Sequence, residues 1–337
     1  MKKFAALALL ATAAAAASAQ SSVTLFGVVD IAARNVKNGS NSVQSLASGG
    51  INTSRFGFRG TEDLGGGLLA GFWLEAGFNA DSGTQSDTTR FFNRRSTASL
   101  IGSFGEVRLG RDFTPTYTGW SDFDVFGDNG VAAGGKFNSK VGTNADTLTR
   151  ADNQVVYFLP SMGGVYGSVA VAAGEGTAGK KYVGGRVGYA AGPVNVSGSL
   201  GQTSVTAVGG EDKLKIYTLG ASYDLGVTKL SGYYTQNKFG NLKTTVYNLG
   251  ASVPVTPLAS LRFDVARLNA SGTGIAANDA TQIAFGGLYS LSKRTALYAT
   301  VARVNNKGAA TYVVDSNPVA VAGGKSTGYE LGLRHAF

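Results

Sequence analysis

Two arginines four positions apart give the clearest indication of chemistry in this sequence. In the segment Arg55-Phe-Gly-Phe-Arg59, arginine alternates with phenylalanine, so a strand would place both guanidinium groups on one face and both rings on the other. Arginine stays positively charged at any physiological pH, and rings of such charges lower the entry barrier of a pore for anions and raise it for cations. The segment therefore indicates an anion-attracting wall rather than a reaction centre.

Catalytic motifs are weak in this sequence. The single histidine, His335, lies on a face expected to be apolar, which disfavours a Ser-His-Asp site. Ser290-Leu-Ser-Lys293 fits the S-x-x-K pattern but lies in a predicted turn, and residues 174–179 lack the strand-to-helix context of a phosphate loop. We expect no enzyme activity, no cofactor and no metal site, and calcium binding by Asp146 and Asp152 would be incidental.

The N-terminus indicates export. Two lysines precede an apolar stretch over residues 4–17, and Ala17-Ser-Ala19 gives an A-x-A cleavage site. We therefore expect residues 1–19 to form a signal peptide and the mature chain to begin at Gln20. The apolar stretch is shorter than the roughly 18 residues that a spanning helix requires. Because the chain has no cysteine, an exported protein of this sequence must be stabilised without disulfides.

Alternation of period two continues through the rest of the chain, which is typical of strands with one apolar face. In residues 217–223, Tyr, Leu, Ala and Tyr share a face, with the aromatic rings at its edges as an interfacial girdle requires. The hexapeptide Tyr217–Ser222 returns with one change as Tyr247–Ser252. At about 20 residues per strand and connection, residues 20–337 supply about 16 strands, and the mean hydropathy of +0.04 fits lipid-facing residues that alternate with polar ones.

Turn signals divide the chain into hairpins in which short turns alternate with longer polar connections. This asymmetry is typical of barrels of the bacterial outer membrane. The expected long connections span residues 35–50, 81–89, 174–179, 203–212, 271–279 and 305–325.

Together these features resemble the trimeric porins of Gram-negative bacteria, especially the β-proteobacterial type, over the whole chain. The segments that carry the resemblance are Ser22–Asp30, Ser54–Gly67, Phe92–Arg95, Gly102–Arg111 and the terminal Phe337. The resemblance implies a closed 16-stranded antiparallel transmembrane β-barrel, with a long third loop, here about residues 112–149, folded into the lumen. It also implies a homotrimer and recognition of Phe337 as an assembly signal.

The resemblance also adds charges to the wall and opposite it. These are Arg94 and Arg150 on the wall, and Asp122, Asp124 and Asp128 on the loop. With Arg55 and Arg59 they would create a transverse electric field across a pore constriction. The alternatives are that the arginines are ordinary solvated charges, that Arg95 and Arg111 matter as much, and that the three acids lie in an exposed loop.

The sequence therefore predicts an outer-membrane channel for passive diffusion of small hydrophilic solutes and ions, with a preference for anions that fits the net charge of +9. The expected partners are further copies of the chain, outer-membrane lipid and lipopolysaccharide, the barrel-assembly machinery, and small solutes and anions. Nucleic acid is not expected, because the basic residues are dispersed. The alternatives are a substrate-specific channel for phosphate, organic acids or sugars, and a plugged structural or adhesive barrel.

Overall fold

The computed structural model of the protein describes residues 22–337, so the expected signal peptide lies outside the described residues. Most of this part of the chain forms antiparallel strands. Their bounds are β1 Ser22–Asn38, β2 Asn41–Ser48, β3 Arg55–Gly65, β4 Leu68–Gly77, β5 Arg95–Gly102, β6 Gly105–Phe113, β7 Arg150–Phe158, β8 Val165–Ala172, β9 Lys181–Ala191, β10 Val194–Val208, β11 Glu211–Asp224, β12 Lys229–Phe239, β13 Leu242–Thr256, β14 Ala259–Ser271, β15 Ala280–Ser290, β16 Thr295–Asn306 and β17 Lys325–Ala336.

These 17 strands occupy 16 positions around a closed barrel. The first half of β1 pairs with β3, and the second half pairs with β2, so β2 and β3 are successive parts of one interrupted strand. On its other side β1 pairs with β17, from Val28 opposite Ala336 to Asn38 opposite Ser326. The predicted closed 16-stranded antiparallel barrel is confirmed. Closure pairs backbone groups that an open edge would leave unsatisfied in lipid.

The interruption between β2 and β3 is organised by Asp30, whose side chain is fully buried. Its carboxylate accepts hydrogen bonds from three consecutive backbone N–H groups, those of Gly50 (3.1 Å), Ile51 (3.0 Å) and Asn52 (2.7 Å). The hydroxyl of Tyr298, on β16, donates a further hydrogen bond to the same carboxylate. The strand breaks here because its backbone donors turn toward a buried charge instead of a neighbouring strand.

The strands present an apolar outer face, as the alternation predicts. Leu219, Leu249 and Leu331 are each more than 60% exposed, whereas Thr218 and Glu330, their neighbours along the strands, are buried. Large apolar side chains so widely exposed are suited to lipid rather than to water. No helix within residues 22–337 is long and apolar enough to cross a membrane.

The connections are short at one end of the barrel and longer at the other. Two of the expected long loops, 35–50 and 203–212, are wrong, because there the strands continue into hairpins. Gly39 turns the first hairpin and Gly209-Gly210 turns the second, all with positive φ angles that suit tight turns. Strands that extend beyond an apolar layer carry polar residues on both faces, and this polarity had indicated loops. The remaining expected long loops, 81–89, 174–179, 271–279 and 305–325, lie in connections or extend at most two residues into a flanking strand.

Candidate functional site

The longest connection in the described residues spans residues 114–149, between β6 and β7. It begins with a short helix, α1 (Pro115–Ser121), which has proline in its first turn, where no intrahelical N–H donor is needed. The helix packs against β9, β10 and β11, and the 3₁₀ turn Gly130–Ala132 packs against β15, β16 and β17. The connection therefore extends from one part of the barrel wall to another, and connections this long are usually functional.

Glycines on the wall make room for the apolar side chains of this connection. Four pairs share the arrangement: Phe123 at Gly220, Val125 at Gly250, Phe126 at Gly286 and Val131 at Gly328. A Cβ atom at Gly220 would lie 2.0 Å from the Phe123 ring, so no larger residue fits there without displacing the ring. The residues beside these glycines point outward, namely Leu219, Leu249, Phe285 and Tyr329. The connection thus lies against the wall face opposite to the apolar outer face.

The repeated hexapeptide has a role in this packing. Gly220 and Gly250 are the glycines of its two copies, Tyr217–Ser222 and Tyr247–Ser252. The repeat therefore marks two equivalent positions where a side chain of the connection packs against a wall glycine. Its spacing also equals the length of one hairpin.

Asp124 organises the backbone of the connection. Its buried carboxylate accepts hydrogen bonds from the backbone N–H groups of Phe126 (2.9 Å), Asp128 (3.1 Å) and Gly134 (3.1 Å). Burial raises the pKa of Asp124 above its ordinary value, although these three donors oppose the shift. The loop is therefore folded around one carboxylate rather than around an apolar core alone.

Asp128 lies beside this centre and lines the same space. Its carboxylate accepts hydrogen bonds from the hydroxyl of Tyr117 (2.9 Å) and from the backbone N–H of Gly135 (2.6 Å). Burial, and secondarily the charge of Asp124, raise the pKa of Asp128 to about 6. Its negative charge is therefore mostly present at neutral pH and is lost in mild acid.

Lys136 links the connection to the wall. Its ammonium group donates hydrogen bonds to Gln282 Oε1 on β15, at 2.5 Å, and to carbonyl oxygens of the connection itself. The amide of Gln282 in turn donates to the Ala132 carbonyl oxygen at 2.9 Å. Burial lowers the pKa of Lys136 to about 8, while the nearby carboxylates of Asp124 and Asp128 act in the opposite direction. Sequence reasoning missed this residue, because nothing in its local pattern indicates burial.

Five arginines of the wall and three aspartates of the connection line one cavity of about 740 Å³. The arginines are Arg55, Arg94, Arg150, Arg262 and Arg334, and the aspartates are Asp122, Asp124 and Asp128. Six of the seven side chains predicted for the site thus line a common space. Its positive charges come from the barrel and its negative charges from the connection, which is the arrangement needed for a transverse field.

Three of the arginines form a contiguous group. Arg55 and Arg94 share the Glu75 carboxylate, with Nε–Oε1 distances of 3.5 and 2.6 Å. Arg150 donates from Nε to the Arg94 carbonyl oxygen at 2.7 Å, and its guanidinium carbon lies 3.9 Å from the ring centroid of Phe113. The stacking and the backbone contact fix the position of Arg150 without neutralising its charge.

The structure places Arg59 apart from this group. Its guanidinium lies 5.0 Å from the ring centroid of Trp73, in a second cavity of about 390 Å³ that Arg95 and Arg108 also line. Asp122 lines the main cavity but is also paired with Arg186, at 2.5 Å. Arg59 and Arg55 share a face of one strand, and alternation alone does not distinguish their different heights along it.

Arg262 and Arg334 also line the cavity. Alternation places Arg262 on the inner face, between the outward residues Leu261 and Phe263, so the pattern that identified Arg55 could have found it. Arg334 was expected to face inward but was not assigned to the site. Arg111, weighed as an alternative, pairs instead with Asp152 at 2.6 Å.

The terminal residue takes part in closing the barrel. Backbone hydrogen bonds join Phe337 and Gly27 in both directions, at 3.0 and 3.1 Å. The Phe337 ring covers Gly27 on the outer face, where a Cβ atom would lie 2.3 Å from it. The predicted assembly signal is therefore also a structural part of the contact between the first and last strands.

A closed barrel with an apolar outer face and a charged interior defines the class of transmembrane β-barrel channels. The family model of the Gram-negative porins matches residues 5–309 of this chain. The chain belongs to the Gram-negative porin family. Members of this family are outer-membrane proteins that form passive diffusion channels, and the family and its fold are those of channel proteins rather than of enzymes.

Individual relatives agree with this assignment. Outer membrane porin protein 32 of Delftia acidovorans is 44% identical, over 100% of this chain and 99% of that protein. An anion-selective porin from Comamonas acidovorans superposes with a TM-score of 0.85 at 41% identity, covering 94% of this chain and 100% of that chain. A trimer form of the outer membrane protein OmpT of Vibrio cholerae superposes with a TM-score of 0.68 at 15% identity, covering 94% of this chain and 99% of that chain, and shows the shared fold.

Proposed function

We propose that this porin prefers anions and that its selectivity is set in the cavity between the barrel arginines and the connection 114–149, which narrows the lumen. The observation that carries the proposal is the composition of the cavity, in which five arginines oppose three aspartates. Because arginine does not lose its proton in proteins, the positive side of the cavity is permanent, whereas part of the negative side is titratable.

The number of arginines that lack an acidic partner also supports a preference for anions. Glu75 compensates one charge of the pair Arg55 and Arg94. Among the acidic side chains that the structure describes, which do not include that of Glu211, none lies within 4.0 Å of the guanidinium nitrogens of Arg150, Arg262 or Arg334. A low-dielectric wall with uncompensated positive charge lowers the energy of an anion in the passage and raises that of a cation. The printed name of the Comamonas relative, an anion-selective porin at 41% identity, points in the same direction.

The test is the reversal potential of single channels in planar bilayers across a KCl gradient. We expect wild-type protein to conduct with a chloride preference, and Arg150→Gln to lower the chloride-to-potassium permeability ratio by about twofold or more. The matched control is Arg59→Gln, which removes the same charge from the second cavity and should change the ratio much less.

Other outcomes identify the competing functions. A cation preference, or equal effects of the two substitutions, contradicts selectivity at this cavity. Silent membranes favour a plugged structural barrel. A current that phosphate, an organic acid or a sugar blocks at low concentration favours a substrate-specific channel.

We also propose that the mature chain begins at Gln20 after removal of residues 1–19, and that it assembles as a homotrimer through the barrel-assembly machinery. The A-x-A site supports the first proposal. The trimer form of a relative that shares the fold supports the second.

A further inference from the structure

Asp122 differs from the other two aspartates of the cavity in how its charge is held. Asp124 and Asp128 accept hydrogen bonds from backbone N–H groups of their own connection. Asp122 directly follows the helix α1, and its carboxylate accepts a hydrogen bond from Nη1 of Arg186 on β9, at 2.5 Å. The side chain of Asp122 is 49% exposed, whereas that of Arg186 is 8% exposed. One member of this ion pair therefore lines the cavity, and the other lies against the barrel wall.

The guanidinium group of Arg186 is held in place by groups around it. Val187, the next residue on β9, is 59% exposed on the outer face, so Arg186 takes the inner face. Its Nε donates to Ser197 Oγ and its Nη2 donates to Tyr166 Oη, both at 3.2 Å. The ring centroids of Tyr166 and Phe123 lie 5.1 and 5.9 Å from the guanidinium carbon. These contacts orient the guanidinium without compensating its charge.

This fixed orientation makes the ion pair persistent. The Tyr166 hydroxyl donates to Asn195 Oδ1 at 2.7 Å, and the Tyr166 ring covers Gly188, so the group that supports Arg186 is itself fixed. An exposed ion pair usually contributes little, because both side chains must be ordered to form it. Here only the short side chain of Asp122 loses freedom, and a nearly buried guanidinium gains the negative partner that its burial requires. We therefore expect Asp122 to remain at the wall.

The ion pair changes the charge that a permeating ion experiences. Two opposite charges in contact act on a more distant ion almost as a neutral group. With Asp122 held by Arg186, the negative side of the cavity is reduced to Asp124 and Asp128, while the five arginines opposite are unchanged. A released Asp122 would extend into the cavity that it already lines and would repel anions. Arg186 lies outside the lining of this cavity, so it acts on the passage through Asp122.

We propose that Arg186 is a positioning residue for ion selectivity, which strengthens the preference for anions by holding the Asp122 carboxylate against β9 and compensating its charge. The inference rests on the proposed function, because it concerns the ion preference of the same cavity. It explains how a channel with three acids on its connection can still prefer anions, since one of the three is paired within the protein. Sequence reasoning gave Arg186 no role, because the two partners are 64 positions apart.

The experiment is a double-mutant cycle in which ion selectivity is measured. Wild type, Arg186→Gln, Asp122→Asn and the double variant are compared by the reversal potential of single channels across a KCl gradient at pH 7.5. We expect Arg186→Gln to lower the chloride-to-potassium permeability ratio about twofold, because it releases the Asp122 charge into the cavity. In the Asp122→Asn background the same substitution should change the ratio by less than about 1.3-fold, because no charge remains to be released.

Two further variants separate positioning from a general effect of the substitution. Arg186→Lys keeps a cation that can reach Asp122, so its permeability ratio should lie closer to that of wild type than to that of Arg186→Gln. Arg90→Gln is the matched control. Arg90 is also ion-paired, with Asp152 at 3.0 Å among others, and its acidic partners lie outside the lining of the main cavity. The control should have the permeability ratio of wild type.

Three outcomes would overturn the proposal: no change in Arg186→Gln, an equal change in the Asp122→Asn background, or an equal change in Arg90→Gln. If Arg186→Gln does not fold, Asp122→Asn alone decides. A compensated charge predicts a smaller rise of the ratio than Asp128→Asn causes, and an equal or larger rise would contradict the pairing. Failure of the proposed function is distinguishable, because wild type would then prefer cations or Arg150→Gln would leave the ratio unchanged, while the cycle still measures the coupling of Arg186 with Asp122.

Discussion

Asp124 and Asp128 each have two roles, one in folding the connection and one in the charge of the cavity. They accept backbone hydrogen bonds that fold the connection 114–149, and they supply the negative side of the cavity. The first role requires burial, and burial raises the pKa of both carboxyl groups. The electrostatics of the passage are therefore coupled to the way the connection folds.

This coupling makes the ion preference depend on pH. The pKa of Asp128 is raised to about 6, so lowering the pH from 7.5 to 5 protonates the group and removes a negative charge from the cavity. We expect the chloride-to-potassium permeability ratio to rise by about 1.5-fold to twofold over this range. Reversal potentials recorded at the two pH values measure it.

Asp128→Asn is the matched control for this titration. The amide keeps an oxygen to accept the N–H of Gly135, and it carries no charge at either pH. At pH 7.5 the variant should have the chloride-to-potassium permeability ratio that wild type has at pH 5. This ratio should depend on pH less than it does in wild type. A pH response as large as that of wild type would assign the effect to another group.

At the residue scale, the sequence predicted the kind of charge better than its position. Alternation gives the inner face for Arg55 and Arg59 alike, but only Arg55 lines the main cavity. Arg262 meets the same pattern and was missed because it is the single inward arginine of its strand, since Arg267 lies at an odd separation and takes the outer face. The burial of Lys136 depends on Gln282, which is 146 residues away, and no local pattern contains that information.

At the element scale, period two predicted the strands and their faces because it follows from the geometry of an extended chain. It did not predict where strands end beyond the membrane, as the hairpins at Gly39 and Gly209 show. It also gave no reason for the glycine of the repeated hexapeptide. That reason lies in a different element, since Phe123 and Val125 of the connection occupy the space above Gly220 and Gly250.

The packing between connection and wall is tested by Gly220→Val. The new side chain would occupy the space of the Phe123 ring, and overpacking of this kind typically costs about 1–3 kcal/mol. We expect the connection to be displaced, with a lower melting temperature, a higher single-channel conductance and a weaker anion preference.

Gly198→Val is the matched control, since it adds the same side chain to the neighbouring strand β10 on the outer face. There the nearest side-chain atom, Leu219 Cδ2, lies 3.3 Å from the added Cβ atom and belongs to a flexible side chain at the surface. Its conductance should equal that of wild type. If Gly220→Val also conducts and melts like wild type, the glycines are not needed for seating the connection.

At the scale of the whole molecule, the apolar outer face continues around the barrel, and the proposed homotrimer would bury part of it between copies. Native mass spectrometry of protein extracted from outer membranes measures both the number of copies and the mature start. We expect three copies of a chain that begins at Gln20. A single copy, or the mass of the uncleaved chain, would contradict the respective proposal. As a control for assembly, unheated and heated samples are compared by gel electrophoresis, where heating should convert the oligomer to single chains.

The pairing of β1 with β17 affects the order in which the barrel folds. Every other strand contact joins neighbours in the sequence or nearly so, whereas this one brings Asp30 opposite Arg334. Contacts between distant residues form late, because the loop-closure entropy must be overcome before they contribute any stability. Hairpins in the middle of the chain can therefore form early, whereas the barrel closes only when β1 pairs with β17. We therefore expect barrel closure, which converts a curved sheet into a pore, to be the slowest step in the folding of the chain.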